Sequence, residues 1–347
     1  MFFSCFLLSP FSGFPFPAIM ETLFQAILIF GRRSMSTILI THGIPKEGFH
    51  LLQEHTVIMP PPLQAFSEAE LLHHAPAADA IVAGGRVSGD VIRAARKLKI
   101  IANYGAGYDA VDVQAAKEAG VPVTNIPETV TQDTAELALG LMLSVSRRIG
   151  EMNLRMRKEA PQTLFGMGRY MGQSLRGKTL GIIGCGRIGS RTAQLAKAFG
   201  MQVMGYSRRG CDPAVATPVP FDALLEKADI ISLHCPLTEE TRGLIGKSAF
   251  AKMKDGVLLI NTARGAVVDT DELLEALKSG KVAGAGLDVF PDEPHVPASL
   301  LQHDQVVCTP HVGTNTALAR FEMAEACSRQ ILDVFSGKRP VSIVNGL

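Results

Sequence analysis

The sequence predicts an α/β protein built from two doubly wound parallel sheets. Three observations carry that expectation. The chain has 347 residues, room for about two domains at ~150 residues each. Hydrophobic residues make up 47% of it and charged residues 19%, enough apolar matter for sizeable cores and too little charge for disorder. From Thr37 onward, short apolar runs ending in Gly or Pro alternate with helical stretches, as when each strand is followed by a covering helix.

The first 34 residues do not share this pattern. Eight of the 17 Phe fall within residues 1–30, where Pro10, Pro15 and Pro17 interrupt the apolar stretch. It lacks the run of about 20 apolar residues that a membrane span needs. A secretory signal would carry Lys or Arg before its apolar core, and the first basic residue here is Arg32. Residues 1–34 are therefore expected outside the fold, as from an upstream start codon; a targeting or anchoring segment is the alternative.

Strands are expected at 37–40 (TILI), 57–59, 80–84, 100–104 and 121–125, with helices over 88–98 and 110–119. A long helical stretch follows from Thr131 to about Arg157, then a polar, Gly-rich loop, PQTLFGMGRYMGQSLRGK. A second series opens at Thr179, with strands at 179–184, 202–207, 228–234, 256–261, 282–290 and 305–311 and a closing helix over 315–336. Lys plus Arg number 34 against 33 Asp plus Glu, a balance that excludes a globally basic nucleic-acid binder. The six Cys form no CxxC pair and have no zinc-ligand spacing with His. Free thiols in a reducing compartment, no disulfide framework and no metal site are expected.

Three glycine clusters compete for a phosphate. Gly184-Cys185-Gly186-Arg187-Ile188-Gly189 is a GxGxxG that follows the apolar strand LGII and opens a helix. Its glycines permit a tight turn and close backbone approach, and the helix N-terminus would face a pyrophosphate, so a dinucleotide is expected here. Gly105-Ala106-Gly107 follows another strand, but no acidic residue closes a second strand at the expected distance. Its backbone N–H groups suit a small anion such as a carboxylate. Gly284 and Gly286 lie within a strand and suit close packing.

The residue that reads the adenosine ribose should end the second strand, about 20 residues on. Ser207 stands there in place of an acid, followed by Arg208 and Arg209. Guanidinium groups suit a 2′-phosphate, so NADP is expected over NAD, with NAD as the alternative. The competing reading makes both arginines solvated surface charges.

Three ionisable residues follow three strands of the second series: Arg264 after GVLLINTA, Glu293 after LDVFPD and His311 after VVCTP. Ligands of open α/β sheets bind at this edge. Together the three suit hydride transfer at C2 of a hydroxy acid. A His takes the hydroxyl proton, a carboxylate stabilises and orients it, and a guanidinium binds the acid group. Singly, each could be a surface charge, a loop acid or a packed histidine.

The strings NYGAGYDAVDVQAAKEAGVPVTN, LGIIGCGRIG, SLHCPLTEETRGLI, INTARGAVVD, GLDVFPDEP and TPHVGTNT make the chain resemble the D-isomer-specific 2-hydroxyacid dehydrogenase family over about residues 38–345. The resemblance implies a flavodoxin-like substrate domain (35–133 plus 318–347), split by a Rossmann cofactor domain (134–317), with a cleft between. It implies Arg264 as substrate-orienting arginine, Glu293 as the acid paired with the histidine (Asp292 being a decoy) and His311 as catalytic base. Asp288 would bind the nicotinamide carboxamide, and Ala106 and Gly107 would cradle the substrate carboxylate. Further cofactor contacts are implied for Gly184, Gly186, Arg187, Ile188, Gly189, Ser207, Arg208, Arg209, His234, Pro236, Thr262 and Ala263. His234 is expected to line the cofactor rather than to catalyse.

Two departures stand out: Pro291 where an acid is frequent, and YSRR without the NAD-type acid. The implied activity is a cytoplasmic, homodimeric reductase acting on a small 2-keto acid, with glyoxylate or hydroxypyruvate favoured and with neither nucleic acid nor membrane as partner. The alternatives are a non-enzymatic dinucleotide-sensing corepressor, which the complete Arg, Glu and His set disfavours, and a phosphite dehydrogenase. A formate enzyme of this fold would carry Gln in place of Glu293.

Overall fold

A computed structural model of the chain describes residues 35–347; the expectations for residues 1–34 lie outside the described residues. Two sheets form, parallel throughout. The first contains β1 (Thr37–Ile40), β2 (Thr56–Ile58), β3 (Ala80–Ala83), β4 (Ile100–Asn103) and β5 (Val123–Thr124), in the order β2-β1-β3-β4-β5. The second contains β6 (Thr179–Ile183), β7 (Gln202–Tyr206), β8 (Thr217–Pro218), β9 (Ile230–Leu233), β10 (Val257–Asn261), β11 (Val282–Leu287) and β12 (Val306–Cys308), in the order β12-β11-β10-β9-β6-β7-β8.

Side chains alternate across each strand, and both faces are covered, which is why the strands read as unbroken apolar runs. On one face of the first sheet Leu39, Ile81, Ile101 and Val123 pack with Leu71 of α1 (Glu68–His74), Val91 and Ile92 of α2 (Gly89–Ala94) and Ala115 and Ala116 of α3 (Val113–Glu118). On the other face Ile38, Ile40, Val82 and Ile100 meet Met323, Ala324, Cys327 and Ile331 of the last helix (Ala317–Phe335), so the end of the chain returns to the first sheet.

The second sheet is covered on one face by α4 (Thr131–Ser146) and α6 (Arg187–Ala198), whose Ala138, Leu141, Met142, Val145, Ala193 and Ala196 meet Leu180, Ile182, Leu258 and Ile260. A Cβ on Gly284 would lie 2.6 Å from Val145 and one on Gly286 2.9 Å from Leu141. These glycines let α4 lie against β11, the close packing expected of them.

The expected single helix from Thr131 to about Arg157 is two. Helix α4 ends at Ser146, Arg148 takes a left-handed φ of +56°, and α5 (Ile149–Lys158) starts after it. The break lets Arg148 donate to the buried Glu151 at 2.6 and 2.8 Å, with Arg155 adding a bond at 2.9 Å.

Strand order in the second sheet reverses between β6 and β9. A crevice therefore opens at the carboxyl ends of these two strands, where the glycine turn and the His234–Pro236 segment emerge.

Candidate active site

The three glycines of the β6–α6 turn do three different things. Gly184 has φ +102°, and a Cβ on it would lie 2.5 Å from the carbonyl carbon of His234. A Cβ on Gly189 would overlap the Gly184 carbonyl oxygen, so α6 packs directly on the turn. A Cβ on Gly186, the N-cap residue of α6, would meet nothing within 4 Å. The open side of the turn thus lies at the N-terminal N–H groups of a 12-residue helix, where a phosphate is stabilised.

Across the crevice two buried polar atoms, Nδ1 of His234 and Oγ1 of Thr262, have no hydrogen-bond partner. Such atoms cost free energy unless a ligand satisfies them. Burial pushes the His234 imidazole down to about 4, so it is neutral at pH 7; its Nε2 lies 2.9 Å from Ser232 Oγ. The open glycine turn and these orphaned atoms fit a dinucleotide.

At the end of β7 come Ser207, Arg208 and Arg209; Arg208 and Arg209 are exposed, and Arg208 lies 3.3 Å from Glu240. One sequence expectation fails here. Cys185 and Cys211 are joined by a disulfide, with their Cα atoms 5.3 Å apart. The turn after β7 brings Cys211 back over the glycine turn, a proximity that the 26-residue separation hides. Cys235, Cys308 and Cys327 are free.

On the opposite side of the cleft, β4 runs into the 105–107 loop. Asn103 Nδ2 donates to the carbonyls of Gly105 and Gly107 at 3.0 and 2.9 Å, and Asn125 Nδ2 to that of Ala106 at 2.8 Å. With the carbonyls tied back, the N–H groups of Ala106 and Gly107 have no partner among the described residues. The guanidinium of Arg264 reaches this loop from β10: a Cβ on Gly107 would overlap its Nη2 and lie 2.7 Å from its Cζ.

Arg264 is held from both sides. Asn261 Nδ2 donates to its carbonyl at 2.9 Å. A Cβ on Gly265 would overlap the Phe290–Pro291 backbone, so the Arg264 turn rests on the segment leading to Glu293. Asp109, from the first sheet, accepts from Nε at 3.0 Å on each oxygen and from Nη2 at 2.8 Å. Nη1 donates to the Ala263 carbonyl at 2.7 Å. Of five guanidinium N–H groups, one on each Nη remains.

His311 and Glu293 meet: Nδ1 lies 2.7 Å from Oε2, while Oε1 accepts from the Phe290 N–H at 2.9 Å. An ionised carboxylate only accepts, so Nδ1 carries the proton and Nε2 is left for a ligand. Asp288, almost fully buried, sets the His311 turn. Its carboxylate accepts from Thr309 Oγ1 (2.6 Å), Val312 N (2.8 Å) and Gly313 N (2.9 Å), and its carbonyl accepts from His311 N (2.8 Å). This clamp holds His311 at φ +51°, uncommon for a residue with a side chain. Burial raises the Asp288 carboxyl.

The four charged groups sense one another. Burial pushes the Asp109 carboxyl up, but Arg264, and more weakly His311, pull it below its ordinary value. Burial likewise raises Glu293, and His311, the Phe290 N–H and the Arg264 charge together hold it low. Arg264, Glu293, His311 and the 105–107 loop therefore face one cleft, while Asp292 stands exposed beside it. Sequence reasoning missed Asp109, Asn103 and Asn261. Asp109 lies within the NYGAGYDAVD string, yet nothing there signals a partner 155 residues away.

A doubly wound sheet with an open glycine turn at its switch point, facing an imidazole–carboxylate pair and a guanidinium, defines a pyridine-nucleotide oxidoreductase of small acids. The sequence model of the NAD-binding domain of D-isomer-specific 2-hydroxyacid dehydrogenases matches residues 139–313. The glyoxylate reductase of Thermococcus litoralis is 41% identical over 318 residues, 89% of this chain and 96% of that one. The hydroxypyruvate reductase of Thermotoga maritima is 43% identical over 259 residues, 72% and 83% of the two chains. Among solved structures, an NADPH-dependent glyoxylate/hydroxypyruvate reductase of Sinorhizobium meliloti, in complex with NADP and malonate, superposes with TM-score 0.80 at 30% identity, covering 90% and 97%. The chain belongs to the D-isomer-specific 2-hydroxyacid dehydrogenase family. No helix among the described residues is long and apolar enough to cross a membrane.

Proposed function

We propose that this chain reduces glyoxylate or hydroxypyruvate to the corresponding 2-hydroxy acid, with NADPH preferred over NADH. The observation that carries the reading is the Glu293–His311 pair at 2.7 Å, facing the same cleft as the Arg264 guanidinium. The two N–H groups left on Arg264 and the unpaired N–H groups of Ala106 and Gly107 hold the substrate carboxylate. When bound, the dihydronicotinamide supplies a hydride to C2. His311 Nε2 gives a proton to the carbonyl oxygen, and Glu293 stabilises the imidazolium that precedes this step and fixes its ring. In oxidation the same nitrogen takes the proton back.

On the cofactor side, Gly184, Gly186, Arg187, Ile188 and Gly189 would hold the pyrophosphate. His234, Pro236, Thr262 and Ala263 line the crevice toward the nicotinamide half, where the two orphaned polar atoms gain partners. Asp288 has one carboxylate acceptor site left beyond its three internal bonds, and it takes the carboxamide. Ser207, Arg208 and Arg209 form the 2′-phosphate site. The absence of an acid at 207 supports this, as does the NADP complex of the Sinorhizobium meliloti relative. The substrate domain is 35–133 plus 318–347 and the cofactor domain 134–317, which puts Asp109 and Arg264 on opposite sides of the cleft.

The chain forms a homodimer. Ile149, Leu154, Met156, Phe165, Met167 and Met171 are all exposed on α5 and the loop after it, an apolar area that a second copy would cover. A reducing compartment, the cytoplasm, suits the free Cys235, Cys308 and Cys327. Absorbance at 340 nm with a panel of 2-keto acids and both cofactors tests the reading. NADPH oxidation with glyoxylate or hydroxypyruvate is expected; no turnover of any member defeats it, and a strong NADH preference defeats the cofactor assignment. Sedimentation equilibrium tests the dimer.

A further inference from the structure

The Cys185–Cys211 bond ties together the two turns that would hold the two ends of the cofactor's adenosine half. Cys185 is the second residue of the glycine turn. Cys211 follows the Ser207–Gly210 turn, which closes on a 2.9 Å bond from Gly210 N to the Ser207 carbonyl. Both sulfurs lie over Gly205 of β7, where a Cβ would stand 2.6 Å from Cys185 Sγ and 2.8 Å from Cys211 Sγ. A side chain at 205 would push the pair apart.

The fold does not depend on this bond. Strands β6 and β7 are paired over five residues, and α6 is anchored in the core through Ala193 and Ala196. The 207–216 loop is different. Its far half is anchored, because Ala216 is buried in the core, Val215 packs against that core and Lys197 donates to the Ala214 carbonyl at 2.8 Å. The 207–211 half has the exposed Arg208–Glu240 pair as its other tie to the body of the domain. Breaking the sulfur bond therefore frees the arginine turn and little else. The other described cysteines are poor candidates for exchange. Cys235 and Cys327 are buried, and burial pushes Cys235 and Cys308 up to about 11 and Cys327 higher still.

We propose that Cys185 and Cys211 form a thiol–disulfide switch of dinucleotide affinity. The oxidised form holds the arginine turn in register with the glycine turn, and the reduced form lets it move. Closure consumes a low-molecular-weight disulfide such as oxidised glutathione. A thiolate of the pair attacks one sulfur of that disulfide, expelling one thiol. The second cysteine attacks the mixed disulfide and expels the other. Two protein thiols are oxidised and one disulfide is reduced to two thiols. Pre-ordering the loop removes its ordering cost from binding, so the oxidised form binds the dinucleotide about three- to tenfold more tightly. The switch requires the dinucleotide site but holds whichever dinucleotide is preferred.

The test uses the whole protein equilibrated with oxidised or reduced glutathione. Peptide mass spectrometry reads the linkage, and NADPH and NADH fluorescence titrations read affinity without turnover. Expected are a 185–211 linked peptide in the oxidised sample only and a Kd about three- to tenfold lower there. Cys211→Ser should show the reduced-form Kd in both buffers, and Cys185→Ala should agree with it. Absence of the linked peptide after oxidation overturns the switch, as does the same Kd in both forms of the parent. Loss of all dinucleotide binding in both forms would instead overturn the cofactor site itself.

Discussion

Replacing Gly107 by Ala tests how closely the anion loop and the guanidinium fit. A Cβ there overlaps Arg264 Nη2 and stands 2.7 Å from Cζ. Gly107 does not have a positive φ, so the substitution carries no backbone strain and its cost is steric. The guanidinium has little room to step aside: Asp109 holds Nε and Nη2, and the Ala263 carbonyl holds Nη1. Displacing it loses two charge-assisted bonds to the substrate carboxylate, each ~1.5–3 kcal/mol at full strength. The Arg264 side chain is 28% exposed, which lowers the expected loss to about 2–3 kcal/mol, or roughly 30- to 150-fold in kcat/KM. Gly105→Ala is the control, because its Cβ meets nothing nearer than 3.7 Å. Steady-state assays with glyoxylate should show the loss in Gly107→Ala only, with the KM for NADPH and the melting temperature preserved. A kcat/KM within threefold of the parent for Gly107→Ala would refute the reasoning.

Ser207→Asp places a carboxylate against the 2′-phosphate and should shift the NADPH-to-NADH ratio of kcat/KM toward NADH by about tenfold or more, ~1.4 kcal/mol of like-charge repulsion; an unmoved ratio would argue that the phosphate sits elsewhere. Glu151→Ala removes the buried carboxylate shared by Arg148 and Arg155 and should cost about 2 kcal/mol, a fall of roughly 4–8 °C in calorimetry. Glu293, Asp109 and Glu151 all have folded-state carboxyl values below their ordinary ones. Their contribution to stability is therefore present above about pH 5 and is lost as pH falls through about 4 and below. Thermal melts across pH 3–7 should show that acid limb, and a flat profile would contradict the ion-pair geometry.

Much of the fold was legible because burial on both faces writes itself into the chain as apolar runs. Eleven of the twelve strands among the described residues stand within a few residues of their expected bounds. The two-residue edge strand β8 (Thr217–Pro218), too short and too exposed to leave an apolar run, is not among those expected. The order of charged residues past strand ends was legible for the same reason: a parallel sheet puts every such residue at one edge. What stayed hidden were pairings across the cleft. The Asp109–Arg264 pair spans 155 residues, and Asp288 holds the His311 turn through backbone N–H groups that no side-chain pattern reports. The Cys185–Cys211 bond depends on a turn whose path no spacing rule fixes. The break at Arg148 depends on where Glu151 is buried, which helical periodicity does not encode. A readable signal also lay in Ser67-Glu68-Ala69-Glu70, whose capping box starts α1.

The most direct test is NADPH oxidation at 340 nm with glyoxylate and hydroxypyruvate, run on the parent and on His311→Ala. Turnover by the parent and a loss of about a hundred- to ten-thousandfold in the variant is the predicted result. A variant as fast as the parent would contradict proton transfer by His311, and a parent that turns over neither acid would contradict the proposed reaction.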